Sequence, residues 1–497
     1  MSGLDLVSPA TTWPDVDRVG EAPRRLLFVR ITHWIMVLSV LGLLVSGIGI
    51  LVSHPRLYWG ETGNIGTESL VDIPIPFIIG PSVWMRPYHF LAAWVLVFAG
   101  LAYVAGSFAS RHFWKDLLPA KADLRWSRIF AVISGHLRWK RPSANDAWSY
   151  NVVQRLTYLA VVFALFPAII WTGLAMSFGV TSVFPVMATA LGGHQSARTL
   201  HFVFAGLLMF FVIVAYRHDL PGRFLGSCAG DDHGTHTAGK ERPMTGRYTR
   251  RTLVTAGLTT AAGASAIGAA VHLADRYGLI PPKRNGILGI GETLTYASQR
   301  LLTSDRSLAR EFTRSEISNV HPVNGPAPQD EMYQRLLADG FKDWRLEITG
   351  SVARPTSFSL EELQNLPAES HILLHACEEG WSYIAEWTGV RLSRVLDLVE
   401  TRPEARYVVF IPFKNHNQNT GAVRVLWESI DMADALHPQT MLAYGMNGEL
   451  LPTDHGAPVR LRLGRHLGWK NTKYLSQIVV TDRDFYRKGN GSWYGGI

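Results

Sequence analysis

Cys377 is the residue of this sequence whose type is best suited to bind a soft transition metal. It lies in the run His375–Ser382, and a thiolate is a soft metal ligand. No second cysteine stands near it, so it cannot form a CxxC redox pair, and the alternative is an inert buried thiol. The chain has only two cysteines, Cys228 and Cys377, which excludes a disulfide framework and a cysteine-rich zinc or iron–sulfur site.

Four histidines lie within or at the ends of long apolar segments: His33, His89, His201 and His218. An ionisable side chain is costly in a bilayer, so each of these histidines is a functional candidate. Pairs of neutral imidazoles are suitable axial ligands for haem iron. The alternative for each is an interfacial histidine that is hydrogen-bonded to lipid headgroups or to the backbone.

The elements that carry these histidines are predicted transmembrane helices. A helix rises about 1.5 Å per residue, so about 20 apolar residues cross a hydrocarbon core of about 30 Å. Five segments are long and apolar enough: Ile31–Val52, His89–Phe108, Leu156–Phe178, Leu200–Tyr216 and Thr252–Leu273. The fifth is rich in small residues, and its alternatives are a buried soluble helix and a linker.

Loop charges predict the orientation of these helices, because cytoplasmic loops accumulate Lys and Arg. The N-terminal arm, the loop after the second segment and the loop after the fourth are basic. The alternate loops offer only Arg56, Arg86 and Arg198. We therefore expect the N-terminus inside and, if the fifth segment spans, everything after about Asp275 outside, in a bacterial periplasm.

The start of the fifth segment carries paired arginines. Arg250 and Arg251, in the run Thr249–Leu253, resemble a twin-arginine export signal placed inside the chain. The alternative is an ordinary basic flank under the positive-inside rule. An export signal of this kind suits a soluble half that folds around its cofactor before it crosses.

The orientation places the four histidines at two depths. His89 and His201 lie near the outer face, and His33 and His218 lie near the inner face. The 17 residues between His201 and His218 correspond to about 26 Å along a helix, so these two residues serve different haems. The sequence predicts two b haems, one near each face.

Residues 20–225 resemble the di-haem membrane cytochrome b subunits of nickel–iron hydrogenases and formate dehydrogenases. The run FVRITHW around His33 and the histidines at both ends of the fourth segment carry this resemblance. One departure is that His218 lies later in its helix than in such relatives, beside Arg217 and Asp219. His112 is the substitute ligand that we consider for the inner haem.

The composition predicts a membrane block joined to a soluble block. Of the 497 residues, 47% are hydrophobic and 18% are charged, which is too apolar for a soluble domain and too polar for a chain that is membrane throughout. The net charge of +8 suggests a nucleic-acid partner, but the basic residues lie in loops between apolar helices. We therefore expect no nucleic-acid partner.

The chain after about Arg276 has the pattern of a mixed α+β domain. It begins with Pro281 and Pro282 and contains the alternating runs WRLEITG, YVVFIPF, PVRLRLG and LSQIVVTD, which are typical of strands. Helices are predicted at Asp330–Asp339 and Ser359–Asn365, where the second begins with a capping pattern. The domain is large enough to bury its own core and a cofactor.

Motifs over about residues 315–485 resemble the molybdenum-cofactor domain of the sulfite oxidase family. They occur in the family's order: Asn319–Val323, His375–Ser382 with Trp387–Val390, Leu442–Pro452, Asp454–Leu461 and Gly468–Lys473. The resemblance implies that the thiolate of Cys377 binds molybdenum, whose other ligands are a molybdopterin dithiolene and oxo or water groups.

The resemblance also implies a set of pterin and phosphate contacts. They are Asn319, Pro322, Val323, Pro412, His455, Arg460, Asn471, Thr472 and Lys473. The chemistry agrees, because a phosphate needs cations such as Arg460 and Lys473. A buried pterin needs fixed donors and acceptors, which His455 and Asn319 can supply. For each residue taken alone, the alternative is a surface hydrogen bond.

Ser318 is a departure that bears on the substrate. Sulfite oxidases have an arginine at this place, and an uncharged residue cannot clamp an anion, so sulfite is disfavoured. The site is more similar to the periplasmic methionine sulfoxide reductase catalytic subunits of the family, which work with a separate haem membrane partner. Trp493 and Tyr494 are expected to line the pocket, with Tyr494 as a catalytic residue; simple packing is the alternative.

The sequence therefore predicts a membrane all-α bundle, a four-helix cytochrome b plus an anchor helix, followed by an α+β sulfite oxidase-type molybdopterin domain. The predicted boundaries are 1–225, 226–280 and 281–497. We expect a molybdenum oxidoreductase that reduces a small S-oxide or N-oxide with electrons from the quinone pool, passed through two b haems. The alternatives are oxidation of a small substrate with quinone as acceptor, and a haem cytochrome with a non-catalytic binding domain. Membrane lipid is an expected partner. The sequence does not decide whether the chain forms a homo-oligomer.

Overall fold

Four helices of the computed structural model are long and apolar enough to cross a membrane. The model describes residues 26–74, 85–119, 124–127, 130, 134, 152–223, 269, 271–280, 287, 289–416, 423–424 and 427–482. Within that part of the chain, the candidate spans are Leu27–Leu51, Met85–Ala109, Val152–Ala175 and His194–Val214. They match the first four predicted segments. Most of Thr252–Leu273, with Arg250 and Arg251, lies outside the described residues.

The third span is interrupted by one π-helical turn. Helix α3 (Val152–Ala160) leads into the π-helical turn Val161–Leu165, and α4 (Phe166–Ala175) follows. Pro167 has no N–H to donate, and its ring clashes with the carbonyl four residues earlier, so the regular ladder widens just before it. The first and second spans are unbroken helices, α1 (Leu27–Leu51) and α2 (Met85–Ala109).

Helix α7 contains the fourth span. It runs over His194–Arg223 and follows two short helices, α5 (Phe178–Val183) and α6 (Val186–Thr189). The strands β1 (Arg56–Leu57) and β2 (Val71–Asp72) pair antiparallel in the connection between α1 and α2.

The chain divides into two compact units. One contains residues 1–40 and 95–166, and the other contains residues 41–94 and 167–497. In the first unit His112 is buried, with ring contacts to Phe28 and Tyr103. The second unit contains parts of α1 and α2, all of α4 except Phe166, all of α7, and the α+β domain. The predicted boundary at 225 falls within residues 224–268, and that at 280 lies beside residues 281–286. Neither segment is described, so both boundaries stay predictions.

The α+β domain is built on two five-stranded sheets. The first has the order β10-β7-β14-β3-β4, in which only the pair β14 and β3 is parallel. The second has the order β12-β11-β6-β5, and β13 also pairs with β11. The strands of the domain are β3 (Arg345–Gly350), β4 (Thr356–Ser359), β5 (Ala368–Ala376), β6 (Ser382–Arg391), β7 (Tyr407–Pro412), β8 (Asn415–His416), β9 (Val423–Arg424), β10 (Glu428–Asp431), β11 (Met441–Met446), β12 (Glu449–Leu450), β13 (Arg460–Arg462) and β14 (Leu475–Thr481).

The helices of the domain are α8 (Gly289–Leu302), α9 (Glu331–Ala338), α10 (Leu360–Gln364), α11 (Leu392–Leu398) and α12 (Met432–Ala435). Of these, α9 and α10 lie where the sequence predicts helices. The Asp330 carboxylate caps α9 by accepting from the Met332 and Tyr333 amides, and Ser359 caps α10. The alternating runs are strands β3, β7, β13 and β14, as predicted. Trp344, Phe410 and Ile478 form part of the fully buried core of the first sheet.

Helix α8 is fixed to the α+β domain by a buried network of charges. Arg300 forms ion pairs with Asp434 at 2.6 Å and with Asp431 at 3.3 Å. The second oxygen of Asp434 is bound by Arg465 at 2.7 Å, and His466 lies 2.9 Å from Asp434. Burial alone raises the pKa of Asp434, but His466, Arg300 and Arg465 lower it well below its ordinary value.

Replacing Asp434 with asparagine is expected to destabilise the fold by about 3 kcal/mol near neutral pH, because buried guanidinium groups lose their counter-charge. A carboxylate with a lowered folded pKa stabilises above its unfolded pKa and less as the pH falls. The difference between the wild type and Asp434→Asn therefore shrinks below about pH 4. Thermal unfolding in detergent measures it. Glu400→Gln removes an exposed ion pair with Arg354 and is the control, with a much smaller expected change; an equal loss in both variants would contradict the prediction.

Candidate metal centres

Cys377 begins the turn that joins β5 to β6. Its amide donates to Trp381 O at 2.9 Å, and the Gly380 amide donates back to Cys377 O at 3.0 Å. Gly380 has φ +110°, a conformation that a residue with a side chain rarely adopts. The turn holds the thiol at the end of the second sheet, where Cys377 is only 5% exposed.

Rings of histidine and aromatic residues surround this end of the sheet. The His375 ring lies 5.0 Å from the Tyr383 ring and 6.2 Å from the Trp381 ring. Tyr383 also contacts the ring of His321 at 5.2 Å and that of His455 at 6.2 Å. The upstream motif, the Cys377 run and the Asp454–Leu461 motif therefore meet at one place, although up to 134 residues separate them.

The protein environment disfavours an ionised thiol at Cys377. Burial raises the pKa of this thiol well above its ordinary value, and the carboxyl groups of Glu378 and Glu379 raise it further. A bound metal cation supplies the opposite charge and deprotonates a thiol that coordinates it. The thiol is thus unsuited to act as a free nucleophile and suited to act as a metal ligand.

Three cations lie near this site without a carboxylate partner among the described residues: Arg460, Arg462 and Lys473. Arg460 donates to His455 O at 2.8 Å and to Asn471 O at 3.0 Å. Arg462 donates to Leu374 O at 2.9 Å and to Asn471 Oδ1 at 3.0 Å. Both guanidinium groups also lie over the Trp387 ring, at 4.9 Å and 5.3 Å. Neutral acceptors alone leave this positive charge uncompensated, which favours an anionic ligand.

The pKa values of three basic groups show a concentration of buried positive charge, which favours an anionic ligand. Burial, then Arg460, lowers the pKa of Lys473 to about 7. Burial also lowers the pKa of Arg462 to about 9 and that of His455 to about 4. Each shift shows a positive charge that is desolvated and repelled by its neighbours.

Several buried polar atoms around the site make no hydrogen bond within the described chain. They are His375 Nδ1, Arg460 Nε, Arg462 Nε and Thr472 Oγ1. Buried polar groups nearly always have a hydrogen-bond partner, so these atoms favour a ligand with hydrogen-bonding groups at this place. The donor set, cationic and neutral together, fits a group that carries a phosphate and a polar ring.

The structure brings most of the predicted contacts to this place. Lys473 Nζ donates to Asn324 O at 2.9 Å, and Asn324 Nδ2 lies 3.6 Å from the Cys377 sulfur. Asn319, Pro322 and Val323 lie in the loop before Asn324, with Asn319 and Val323 exposed.

The remaining predicted contacts lie beside Lys473 or outside the described residues. Pro412, at the end of β7, is the register partner of Leu475, close to Lys473 in the chain. Asn471 and Thr472 are buried. Trp493 and Tyr494 lie outside the described residues.

Ser318 is used by the fold rather than left open toward a substrate. Its hydroxyl accepts from the Ile384 amide at 3.0 Å, and its own amide donates to Ile384 O at 3.0 Å. The residue is therefore fastened to β6. No guanidinium is supplied at this position.

Sequence reasoning missed five residues of the site. They are His375, Tyr383, Trp387, Arg462 and Asn324. A signal existed for Arg462, because it follows Arg460 by two residues in a strand and therefore lies on the same face. His375 and Trp387 lie in the quoted motifs but were given no role.

A second candidate centre lies between α2 and α7. The His89 and His201 rings have centroids 6.3 Å apart. Two imidazoles on opposite sides of one metal, each bonded at about 2 Å, have ring centroids about 6 Å apart. The pair is thus spaced for one metal ion.

Hydrogen bonds fix which nitrogen of each imidazole is left for a metal. The Ser46 hydroxyl donates to Gly42 O at 2.8 Å, so His89 Nδ1, 2.9 Å from Ser46 Oγ, is the donor in that contact. His201 Nδ1 likewise donates to Ile169 O at 3.1 Å and lies 3.0 Å from Thr172 Oγ1. Both Nε2 atoms therefore carry the lone pair, as in metal-bound histidines. Sequence reasoning missed Ser46 and Thr172.

The described residues do not test the predicted inner pair, His33 and His218. His33 is exposed, and its ring contacts Trp34 at a centroid distance of 5.8 Å. The backbone of His218 belongs to α7, but its side chain lies outside the described residues. The inner haem, and His112 as its substitute ligand, stay predictions.

Comparison with known proteins gives matches in both halves. The family model of the oxidoreductase molybdopterin binding domain matches residues 334–488, and that of prokaryotic cytochrome b561 matches residues 24–215. The putative protein-methionine-sulfoxide reductase subunit YedZ1 of Azospira oryzae is 34% identical over 201 residues, which are 40% of this chain and 71% of that protein.

Two further relatives are catalytic subunits. The protein-methionine-sulfoxide reductase catalytic subunit MsrP of Xanthomonas campestris pv. campestris is 37% identical over 28% of this chain and 45% of its own length. MsrP of Ralstonia nicotianae is 32% identical over 28% of this chain and 44% of its own length. The chain thus spans less than half of either MsrP relative. The chain belongs to the family of membrane cytochromes b that includes YedZ1, and it joins such a cytochrome to a molybdopterin-binding oxidoreductase domain of the sulfite oxidase type.

Proposed function

We propose that this chain reduces a small S-oxide or N-oxide at a molybdenum centre, with electrons drawn from the quinone pool through its own haems. One observation carries the proposal: a single polypeptide holds both a buried cysteine and a histidine pair spaced for one metal. The cations near the cysteine have no carboxylate partner among the described residues. The relatives named as methionine sulfoxide reductase subunits support an S-oxide as the substrate class. The uncharged Ser318, bonded to Ile384, is a reason against sulfite.

The proposed roles of the site residues follow from their contacts. Cys377 is the metal ligand, and Arg460, Arg462 and Lys473 bind the phosphate of the pterin cofactor. When bound, the cofactor would supply a metal that loses two electrons as an oxygen atom leaves the substrate, and gains two electrons as an oxygen atom joins it in the opposite direction. His375, His455 and Thr472 offer hydrogen bonds to the pterin, and Trp381 and Tyr383 shield the thiolate from water. We also propose that five residues contact the cofactor, namely Asn319, Pro322, Val323, Pro412 and Asn471, and that Tyr494 is a catalytic residue.

His89 and His201 are the proposed ligands of the outer haem, and His33 and His218 those of the inner haem. Ser46, Thr172 and Ile169 O hold the two outer imidazoles in the tautomer that presents Nε2 to iron. Two haems then give a path for electrons between a quinone in the membrane and the molybdenum centre.

The α+β domain is proposed to lie in the periplasm of a bacterium. With the N-terminus inside, α2 and α7 both begin at the outer face. Residues of the α+β domain contact those two beginnings: the Arg86 side chain donates to Glu378 O at 3.2 Å, and that of Gln195 to Gly380 O at 3.0 Å.

A further contact between α8 and α2 supports a fifth span. Helix α7 has 30 residues, so the chain leaves it about 45 Å from where the helix began. By α8 the chain is back beside α2, where Trp94 Nε1 donates to Thr295 Oγ1 at 2.9 Å. We propose that the chain crosses the membrane again between α7 and α8, at Thr252–Leu273, because such a crossing returns it to the outer face.

Metal and haem content of the detergent-purified chain tests the proposal. We expect one molybdenum and two b haems per chain, and reduction of methionine sulfoxide with a quinol as donor. Haem without molybdenum would leave a cytochrome with a binding domain. Oxidation of a substrate with quinone as acceptor, and no S-oxide reduction, would reverse the proposed direction.

Replacing Lys473 with methionine is expected to weaken anion binding by the cofactor-free chain by about tenfold to a hundredfold, because one charged hydrogen bond is lost. The pKa of Lys473 is about 7, so the wild-type lysine loses its charge above that pH and the affinity falls as the pH rises. Sulfate, which does not titrate in this range, is the probe, and thermal stabilisation from pH 6 to 9 is the measurement. Lys342→Met, at an exposed lysine, is the control. A wild-type affinity that does not change with pH would contradict the assignment.

A further inference from the structure

The turn that begins with Cys377 is held against the first turns of α2 and α7. Arg86 Nη1 donates to Glu378 O at 3.2 Å. Gln195 Nε2 donates to Gly380 O at 3.0 Å and to Ser382 Oγ at 2.8 Å. Gln195 is completely buried, and its amide donor is used on this turn alone. The contact is therefore buried from solvent and made by specific hydrogen bonds.

Gly380 allows a still closer approach. A Cβ atom at this position would lie 2.8 Å from the Arg198 guanidinium, so only glycine fits. Arg198 is held in place by the carbonyl groups of His54 and Arg56, at 2.7 Å and 2.6 Å. The guanidinium is thus fixed against the backbone of the turn.

The contacts lie one helical turn from the histidine pair. Arg86 precedes His89 by three residues, and Arg198 precedes His201 by three, a rise of about 4.5 Å in each helix. The first residue of the turn is Cys377, and the carbonyl that accepts from Arg86 belongs to the next residue. A route of covalent and hydrogen bonds therefore runs from the sulfur to both helices that carry the pair.

We propose that this contact is the route by which electrons pass between the two metal centres, without a soluble carrier. The inference rests on the proposed function. Each transfer oxidises one ferrous haem iron to ferric and adds one electron to the molybdenum centre. Two electrons and two protons from solvent convert an S-oxide to a sulfide and water. Electron tunnelling falls exponentially with distance and is favoured by bonded routes over gaps, so Arg86 and Gln195 act by holding the two centres close and connected.

A second polar contact joins the α+β domain to the connection between α1 and α2, and neither of its two charged groups bonds to residues 377–382. Arg310 Nη1 forms an ion pair with Glu61 Oε1 at 2.6 Å. Removing it loosens the docking of the α+β domain but leaves the proposed route complete. Arg310→Met is therefore the matched control for Arg86→Met and Gln195→Met.

The experiment follows ferrous haem in the full-length holoprotein after mixing with methionine sulfoxide in a stopped-flow spectrophotometer. In Arg86→Met and in Gln195→Met we expect reoxidation to slow severalfold, because loss of the contact both breaks the bonded route and lengthens the gap between the two centres. In Gln195→Met, haem midpoint potentials, haem and molybdenum contents, and S-oxide reduction driven by a reduced viologen are expected to stay unchanged. Arg86→Met is expected to keep both contents and the viologen-driven activity but to lower the haem potential, because it removes a cation one helical turn from His89. Arg86→Lys, which keeps a cationic donor, is expected to recover part of the rate.

Hydrogen–deuterium exchange gives a readout that does not depend on turnover. Amides of residues 377–382 are expected to exchange faster in Gln195→Met than in the wild type or in Arg310→Met. Wild-type reoxidation rates in both route variants would overturn the inference and leave the proposed function intact. The inference would also be overturned if the wild-type protein reduced S-oxide with viologen but its ferrous haem were not reoxidised by S-oxide. Absence of viologen-driven activity as well would overturn the proposed function itself.

Discussion

Replacement of Cys377 by serine is expected to remove molybdenum and S-oxide reduction together. A serine hydroxyl is a hard ligand and stays protonated in this buried place, so it cannot replace a thiolate on a soft metal. Loss of a residue that merely supports a metal ligand costs about 10–100-fold, so loss of the ligand itself is expected to cost at least about a hundredfold in activity. Elemental analysis and viologen-driven reduction of methionine sulfoxide are the measurements.

Haem content separates this outcome from misfolding. The histidine pair lies on α2 and α7 and does not depend on the thiol, so Cys377→Ser is expected to keep the haem spectrum of the wild type. Cys228→Ser is the matched control, because it changes the chain's other cysteine, and it is expected to keep molybdenum and activity. Retention of molybdenum and of activity in Cys377→Ser would refute the proposed ligand.

Elements with strong local signals could be predicted from the sequence. Apolar length gave the four described spans, because every backbone group in a bilayer must be bonded within its own helix. Local capping gave α9 and α10, since Asp330 and Ser359 bond to amides only two or three residues away. Alternation gave β3, β7, β13 and β14. In each case the determining residues lie close together in the chain.

Elements that depend on distant partners could not be predicted in this way. Helix α8 was not predicted, and its Arg300 is bound by Asp431 and Asp434, which lie more than 130 residues later. The pairing of β14 with β3 in parallel and with β7 antiparallel likewise depends on the whole sheet. No local window of sequence contains these contacts.

The candidate site divides along the same line. Residue types and motifs were enough to select Cys377, Arg460 and Lys473, because their chemistry is unusual for a domain interior. The roles of Asn324 and Tyr383 depend on how loops and strands converge. Ser46 and Thr172 have no unusual sequence signal. Only the packing of α1 and α4 in the folded protein shows that their hydroxyl groups face the imidazoles. Supporting residues are therefore the part of a site that sequence reasoning recovers least.

Replacement of His201 by alanine is expected to remove the outer haem and to stop quinol-driven S-oxide reduction. Haem content is expected to fall from about two per chain to about one, because each b haem needs an axial histidine from each of two helices. Reduction driven by a viologen, which delivers electrons to the molybdenum centre directly, is expected to continue. Pyridine haemochrome analysis and the two assays measure these outcomes.

Two further substitutions on the same elements make the result specific to iron ligation. Thr172→Val removes one partner of His201 Nδ1 but leaves Ile169 O as acceptor, so we expect a loss of haem affinity of about tenfold, at the lower end for such partners. His194→Gln changes a histidine of the same helix that stacks on Phe178 at 5.2 Å, and it is expected to keep the full haem content. If His201→Ala kept wild-type haem and quinol-driven activity, the pair would be a structural hydrogen-bonded contact and the outer haem would need other ligands.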